Sequence, residues 1–105
     1  MHMFEDYAII HCNINKKKYT LYVADNHKKR IKGLSGIKKL DKDKGMIFIM
    51  DENCNNPFTM KNTHLHLNLL FLDENFKIID SFSCKPFQKK LIKPDVNYSY
   101  VIEIQ

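Results

Sequence analysis

The amino-acid sequence predicts a mainly β fold, a small, partly closed antiparallel barrel or sandwich of about seven strands with one helix packed on it. Three observations carry that expectation. Short runs rich in β-branched and aromatic residues recur along the chain with polar turns between them. One stretch alone repeats its apolar residues at helical spacing. Helices do not alternate with strands in the way a parallel sheet would need. The 105 residues, 12.5 kDa in mass, are expected to form one domain over positions 1–105, since domains typically run to about 100–150 residues.

The first element, Tyr7 to Ile14, is rich in β-branched and aromatic residues, and the polar turn Asn15 to Lys18 leads into a second strand, Tyr19 to Ala24. Asp25 or Asn26 is placed to cap the helix, in which His27, Ile31 and Leu34 recur at i, i+4 and i+7 as an apolar stripe. Gly33 and Gly36 close it. After the lysine-rich connection Lys38 to Lys44, Gly45 introduces Met46-Ile47-Phe48-Ile49-Met50, a run whose length and flanking breakers predict a central strand buried on both faces. A polar loop, Asp51 to Pro57, precedes an extended segment from Phe58 to Leu72. There Leu65, Leu67, Leu69 and Phe71 share a core face, opposed by His64, His66, Asn68 and Leu70. Asp73-Glu74-Asn75 reads as a turn, Phe76 to Phe82 as a strand, and the segment punctuated by Pro86 and Pro94 as irregular. In the closing strand Tyr98, Tyr100, Ile102 and Ile104 are expected to point inward. No internal repeat, low-complexity tract or linker interrupts the chain.

Composition narrows the function classes. Hydrophobic residues at 44% and charged residues at 28% describe a chain that can bury a core. The longest apolar run, Met46 to Met50, is far below the roughly 20 residues of a membrane-spanning helix. Met1 to Ile10 lacks the pattern of a secretory leader, so the expected location is cytoplasmic or virion-associated, without membrane attachment. The net charge of +5 favours anionic partners. However, 16 Lys, 10 Asn and 12 Ile make up 38 of 105 residues, as an AT-rich genome would produce, and the lysine groups read as solvated surface. Nucleic acid is thus the less favoured partner, because no basic stripe is interleaved with stacking aromatics. Cys12, Cys54 and Cys84 are odd in number and widely spaced, which argues against a disulfide framework or a structural zinc site.

Two groups of side chains are candidates for binding. His64-Leu65-His66 on a strand would set both imidazoles on one face about 6–7 Å apart, close enough to share a metal if a third ligand joined them. Lys61, Asn62 and Thr63 offer an ammonium, an amide and a hydroxyl that together suit a carboxylate or phosphate, although Asn and Thr at a bend also bond to backbone. Glu103 stands alone in an apolar strand, where it is expected to pair with Arg30 or Lys61. Three glycines cannot supply a phosphate-cradling loop, and neither a nucleophile elbow nor a paired-carboxylate arrangement occurs, so no catalytic residue and no cofactor are assigned.

Arg30-x-x-Gly33-Leu34, Gly45-Met46-Ile47-Phe48, Phe58-x-Met60-Lys61-Asn62-Thr63, Leu67-Asn68-Leu69-x-Phe71-Leu72-Asp73 and Val101-Ile102-Glu103-Ile104 form an ordered set. It resembles the family catalogued as domain of unknown function 192, over roughly Tyr19 to the C-terminus. The resemblance implies a small β-rich fold with one helix and no established activity, and makes Arg30, Gly33, Gly45, Met60, Asn68 and Glu103 its structural motif. Members usually carry tryptophan at the position of Thr59, methionine at Ser35, proline at His66 and aspartate at Asn68, and continue beyond the position of Gln105. Asparagine for aspartate keeps a hydrogen-bonding shape while losing charge and the use of a base.

These observations together favour a non-catalytic accessory or structural subunit acting through protein contacts in a larger assembly, such as a virion. Tyr98, Tyr100 and Ile102 on an exposed closing edge would serve as its interaction surface. The alternatives are a small-ligand or metal-binding domain and a weak nucleic-acid binder using the Lys28 to Lys44 region.

Overall fold

A computed structural model of the protein describes residues 4–105. Met1 to Met3, part of the segment read for a leader, lie outside the described residues. The elements are β1 (Ile9–Ile14), β2 (Lys17–Ala24), α1 (His27–Lys32), β3 (Lys44–Cys54), β4 (Leu67–Leu72), β5 (Ile78–Cys84) and β6 (Tyr98–Ile104). The six strands form one sheet in the order β1-β2-β3-β6-β4-β5. The fold is mainly β with one short helix, as the sequence predicts, but the sheet is open: β1 and β5 form its two edges and do not pair with each other. Six strands replace the expected seven because residues 58–66 form no strand and hold only one isolated β-bridge, Phe58 with Ile92. Among the described residues, no helix is long and apolar enough to cross a membrane.

Local chemistry sets the order of elements. The β1–β2 hairpin turns on Asn15 and Lys16 with φ of 51° and 67°, the left-handed pair that matches strand twist and that asparagine tolerates. Asn26 caps α1, its side-chain oxygen accepting the Lys29 N–H at 2.9 Å. Gly33 ends α1 at φ 48°, its N–H donating to Lys29 O at 2.9 Å. The connection from β2 through α1 returns the chain to the same end of the sheet, so β2 and β3 pair in parallel. That one pairing departs from the expected antiparallel order; the other four are antiparallel.

The helix does not seal the core through the predicted stripe. No residue of α1 is buried, and Ile31 is 71% exposed. Gly33 stops the helix after six residues, so Leu34 leaves the helical phase and turns inward with Ile37, both 2% exposed. These two join Met46, Phe48, Leu67, Leu69, Phe71 and Val101 on one face of the sheet. The other face holds Tyr19, Leu21, Val23, Ile47, Leu72, Ile102 and Ile104. Its members all come from strands.

β6 lies between β3 and β4 and is paired on both sides. This corrects the expectation that Tyr98, Tyr100 and Ile102 form an exposed edge. Tyr98 is fully buried and donates its hydroxyl to Asn56 O at 2.6 Å, and Ile102 is buried as well. A strand that is apolar on both faces belongs inside a sheet, and strand order is not written in a strand's own composition. The true edges are β1 and β5.

Gly45 lies opposite Ile104, where β3 passes close to β6. A Cβ there would overlap the Glu103 carbonyl oxygen and come within 2.8 Å of Ile104 Cγ2. Gly45→Ala is therefore expected to destabilise the fold by about 1–3 kcal/mol, read as a lower urea midpoint at unchanged slope.

Candidate functional site

Residues of four of the five sequence motifs, Arg30 to Leu34, Phe48, Phe58 to Thr63 and Glu103, line a cavity of about 410 Å³ between α1, the turn after it and the 56–63 loop, while the Leu67 to Asp73 motif lies outside it. Backbone bonds hold the loop in place. Phe58 exchanges both backbone bonds with Ile92, at 2.7 and 2.9 Å, and Met60 is buried as an anchor. The Thr59 hydroxyl accepts the Lys61 N–H at 3.1 Å, and Asn62 O accepts the Gly36 N–H at 2.9 Å, which ties the loop to the turn after α1. Thr63 is buried, donating its N–H to Met60 O and accepting the Phe87 N–H at its carbonyl. Lys61 and Asn62 are thereby left exposed at the rim while Thr63 faces inward.

The apolar part of the wall is built by Phe48 and Phe58, which meet edge to face with centroids 5.0 Å apart, and by Leu34 and Met50, while Ser35, Asn56 and Thr59 add polar groups to the lining. Gly33 belongs to the same wall: a Cβ there would stand 3.3 Å from the Phe48 ring.

Glu103 forms the floor. In β6 it sits opposite Met46 of β3 and Leu69 of β4, and residues directly opposite in antiparallel pairs share a face, so its carboxyl enters the buried face. It is 5% exposed, and burial pushes its pKa from 4.5 up to about 8. The expected ion pair does not form. Arg30 instead donates to Ile49 O and to the Asp51 carboxylate, each at 3.0 Å, because Gly33 ends α1 with Arg30 turned toward β3. Among the described residues, neither Arg30 nor Lys61 pairs with Glu103. At neutral pH the floor is thus a neutral carboxylic acid, able to donate and to accept a hydrogen bond.

The remaining candidates lie elsewhere. His64 and His66 precede β4 rather than lying on it. His64 packs edge-on against Phe87 at 4.8 Å between ring centroids, and His66 Nε2 shares a hydrogen bond with Ser83 Oγ at 2.8 Å. Among the described residues, no three His, Cys, Asp or Glu side chains gather as a metal ion would require. Asn68 faces Ile104 across β4 and β6, on the side of the sheet opposite Glu103, so the amide that resembles a replaced aspartate is not in the cavity. Cys84 is buried, and burial together with the nearby Glu103 charge raises its pKa, which keeps it a thiol. Sequence reasoning found Lys61, Asn62 and Thr63 but missed the walls, Leu34, Phe48 and Phe58, which read as ordinary core. The one legible signal for the floor was a single carboxylate among Val101, Ile102 and Ile104.

A scan of family models matches residues 10–105 to DUF192 (Uncharacterized ACR). A search of curated proteins returns no match. Two crystal structures are similar. One, from Sinorhizobium meliloti, is of a protein described as a candidate transcription regulator; it shares 26% identity with a TM-score of 0.80 over 94% of this chain and 81% of that one. The other, from Novosphingobium aromaticivorans, is of a protein of unknown function. It shares 19% identity with a TM-score of 0.85 over 99% of this chain and 78% of that one, and supports the fold alone.

The unpaired floor has a consequence for stability. In the unfolded chain Glu103 loses its proton near pH 4.5, while in the fold it holds it until about 8. Between those values the folded state binds the extra proton, so stability falls as pH rises. Glu103→Gln is expected to flatten that slope, leaving stability near pH 4 little changed and gaining on the order of a few kcal/mol at pH 8–9. Urea midpoints of both proteins across that range check it.

Proposed function

This chain belongs to DUF192, an uncharacterised family, and we propose from its own geometry that it is a small-ligand-binding domain that takes a small organic anion with an apolar body into the cavity. The observation that carries this reading is the cavity itself: apolar walls, a floor carboxyl without a protein partner, and Lys32, Lys61 and Asn62 at the exposed mouth. Protein interiors are close-packed, and among the described residues no fully buried side-chain polar atom lacks a partner, so a carboxyl that lines a void rather than meeting a protein donor is suited to a ligand. Its volume lies within the range of small-molecule sites, about 300–1,000 Å³. The rim lysines supply attraction for the anion, and the net charge of +5 adds to it.

The reading as an assembly subunit loses the surface suggested for it, because that edge is the middle of the sheet. Nucleic-acid contact is favoured by one feature: Lys38, Lys39, Lys42 and Lys44 surround a separate groove beside Gln105, and the Sinorhizobium protein is described as a candidate regulator of transcription. Binding of that kind would weaken steeply with salt as counterions are released.

Calorimetry and amide chemical shifts with a panel of small apolar carboxylates test the proposal. The expected outcome is saturable binding with shifts at Gly33, Asn62 and Thr63. Lys61→Ala is expected to weaken it about two- to five-fold, since an exposed charge pair contributes up to about 1 kcal/mol. Thr59→Trp, which places a large ring at the mouth, is expected to block it. Absence of binding by every member at millimolar concentration would remove the proposal.

A further inference from the structure

Charge is ordered along the cavity, and that order restricts what can fill it. We infer that the ligand is a small amino carboxylate, bound as a zwitterion with its ammonium on the Glu103 carboxylate at the floor and its carboxylate among the rim lysines. This inference rests on the binding function proposed above and deepens it.

Glu103 is 5% exposed, whereas Lys32 and Lys61 are exposed, so negative charge can develop only at the bottom and positive charge stands at the mouth. A simple anion would engage the rim and gain little from the floor. A simple cation would have to pass Lys32 and Lys61 and leave them without a counter-charge. A zwitterion entering nitrogen-first answers both ends, and a charge-assisted hydrogen bond to a carboxyl that is itself buried is among the stronger single contacts available. The intervening walls, Phe48, Phe58 and Leu34, suit the apolar body of such a molecule, and aromatic rings also tolerate a nearby cation.

The groups facing Glu103 do not compete for this role. Met46 and Leu69, opposite it on β3 and β4, are uncharged. Cys84 on β5 stays a neutral thiol. Arg30 on α1 is engaged by Asp51 and Ile49 O. His27 and the rim lysines line the mouth.

Binding is therefore linked to a proton. Empty, the floor holds its proton at neutral pH, since burial pushes the carboxyl to about 8. The incoming ammonium keeps its own proton and converts the acid to a carboxylate, so the Glu103 proton leaves to solvent. The balance is a neutral acid plus an ammonium giving an ion pair plus one released proton. Affinity then rises up to about tenfold per pH unit from 6 and levels above about 8.

The test compares 4-aminobutanoate, 5-aminopentanoate and 6-aminohexanoate with their deamino partners and with pentylamine, by calorimetry at pH 6.5 in two buffers of different ionisation enthalpy. At least one amino carboxylate is expected to bind about tenfold or more tighter than its deamino partner, with about one proton released per ligand, and tighter than the amine. In Glu103→Gln, whose folding is checked by its amide spectrum, the advantage of the amino group and the proton release both disappear. The proton count in the unaltered protein tests the claim without any variant. Equal affinity of every pair without proton release would overturn this inference and leave the binding function standing. Tightest binding by the amine would overturn it as well, and silence from all the probes would remove both.

Discussion

The last strand of the chain is the middle of the sheet, and the remainder of the molecule depends on that placement. β6 fills the space between β3 and β4, pairing with both, so each of its side chains must lie on one of two buried faces. Val101 and Ile102 satisfy opposite faces without difficulty. Glu103 cannot, because alternation commits its carboxyl to the face that carries Met46 and Leu69. An ordinary core would need a cation or several donors there, since burying a lone charge is far more costly than neutralising it. Here the carboxyl keeps its proton, and the packing above it stops short, leaving the space that β6 floors.

What roofs that space is a set of short-range bonds rather than a large hydrophobic contact. α1 buries nothing, but its glycine stop sends Leu34 and Ile37 into the core and brings Gly36 to Asn62. The loop is fixed from the other side by Phe58 against Ile92 and by the burial of Met60. A rim built from a six-residue helix and a bonded loop can hold lysines in water while the aromatic walls remain rigid. The site thus combines a preorganised apolar interior with a wet, basic entrance, the arrangement expected of small-molecule sites in general.

Much of this was legible before any coordinates. The five-residue apolar run Met46 to Met50 marks a strand buried on both faces, since neither face can be left to water, and Asn26 and Gly33 mark the helix ends by their local chemistry. Lys61, Asn62 and Thr63 stand out as a polar cluster at a bend, and they do line the cavity. What could not be read depends on distant pairing. The position of β6 follows from which strands meet across the sheet, so Tyr98 and Tyr100 looked like an edge when they were the centre. Ile31 fits a helical stripe by spacing alone, yet the helix is too short and too peripheral to bury it. Arg30 was expected to meet Glu103 but pairs with Asp51, a partner far along the chain that spacing alone does not single out. A cavity is a failure of packing among residues far apart in sequence, and no periodicity announces one.

The protonation state of the floor decides whether this description of the site is right. Carbon-13 labelling of the glutamate carboxyls and an NMR pH titration of the Glu103 resonance, assigned by its absence in Glu103→Gln, measure it directly. The account predicts a midpoint near 8, as burial requires of an unpaired acid. A midpoint of about 4, the ordinary range for a glutamate, would mean that the carboxyl is solvated or paired and that the site is not the one described.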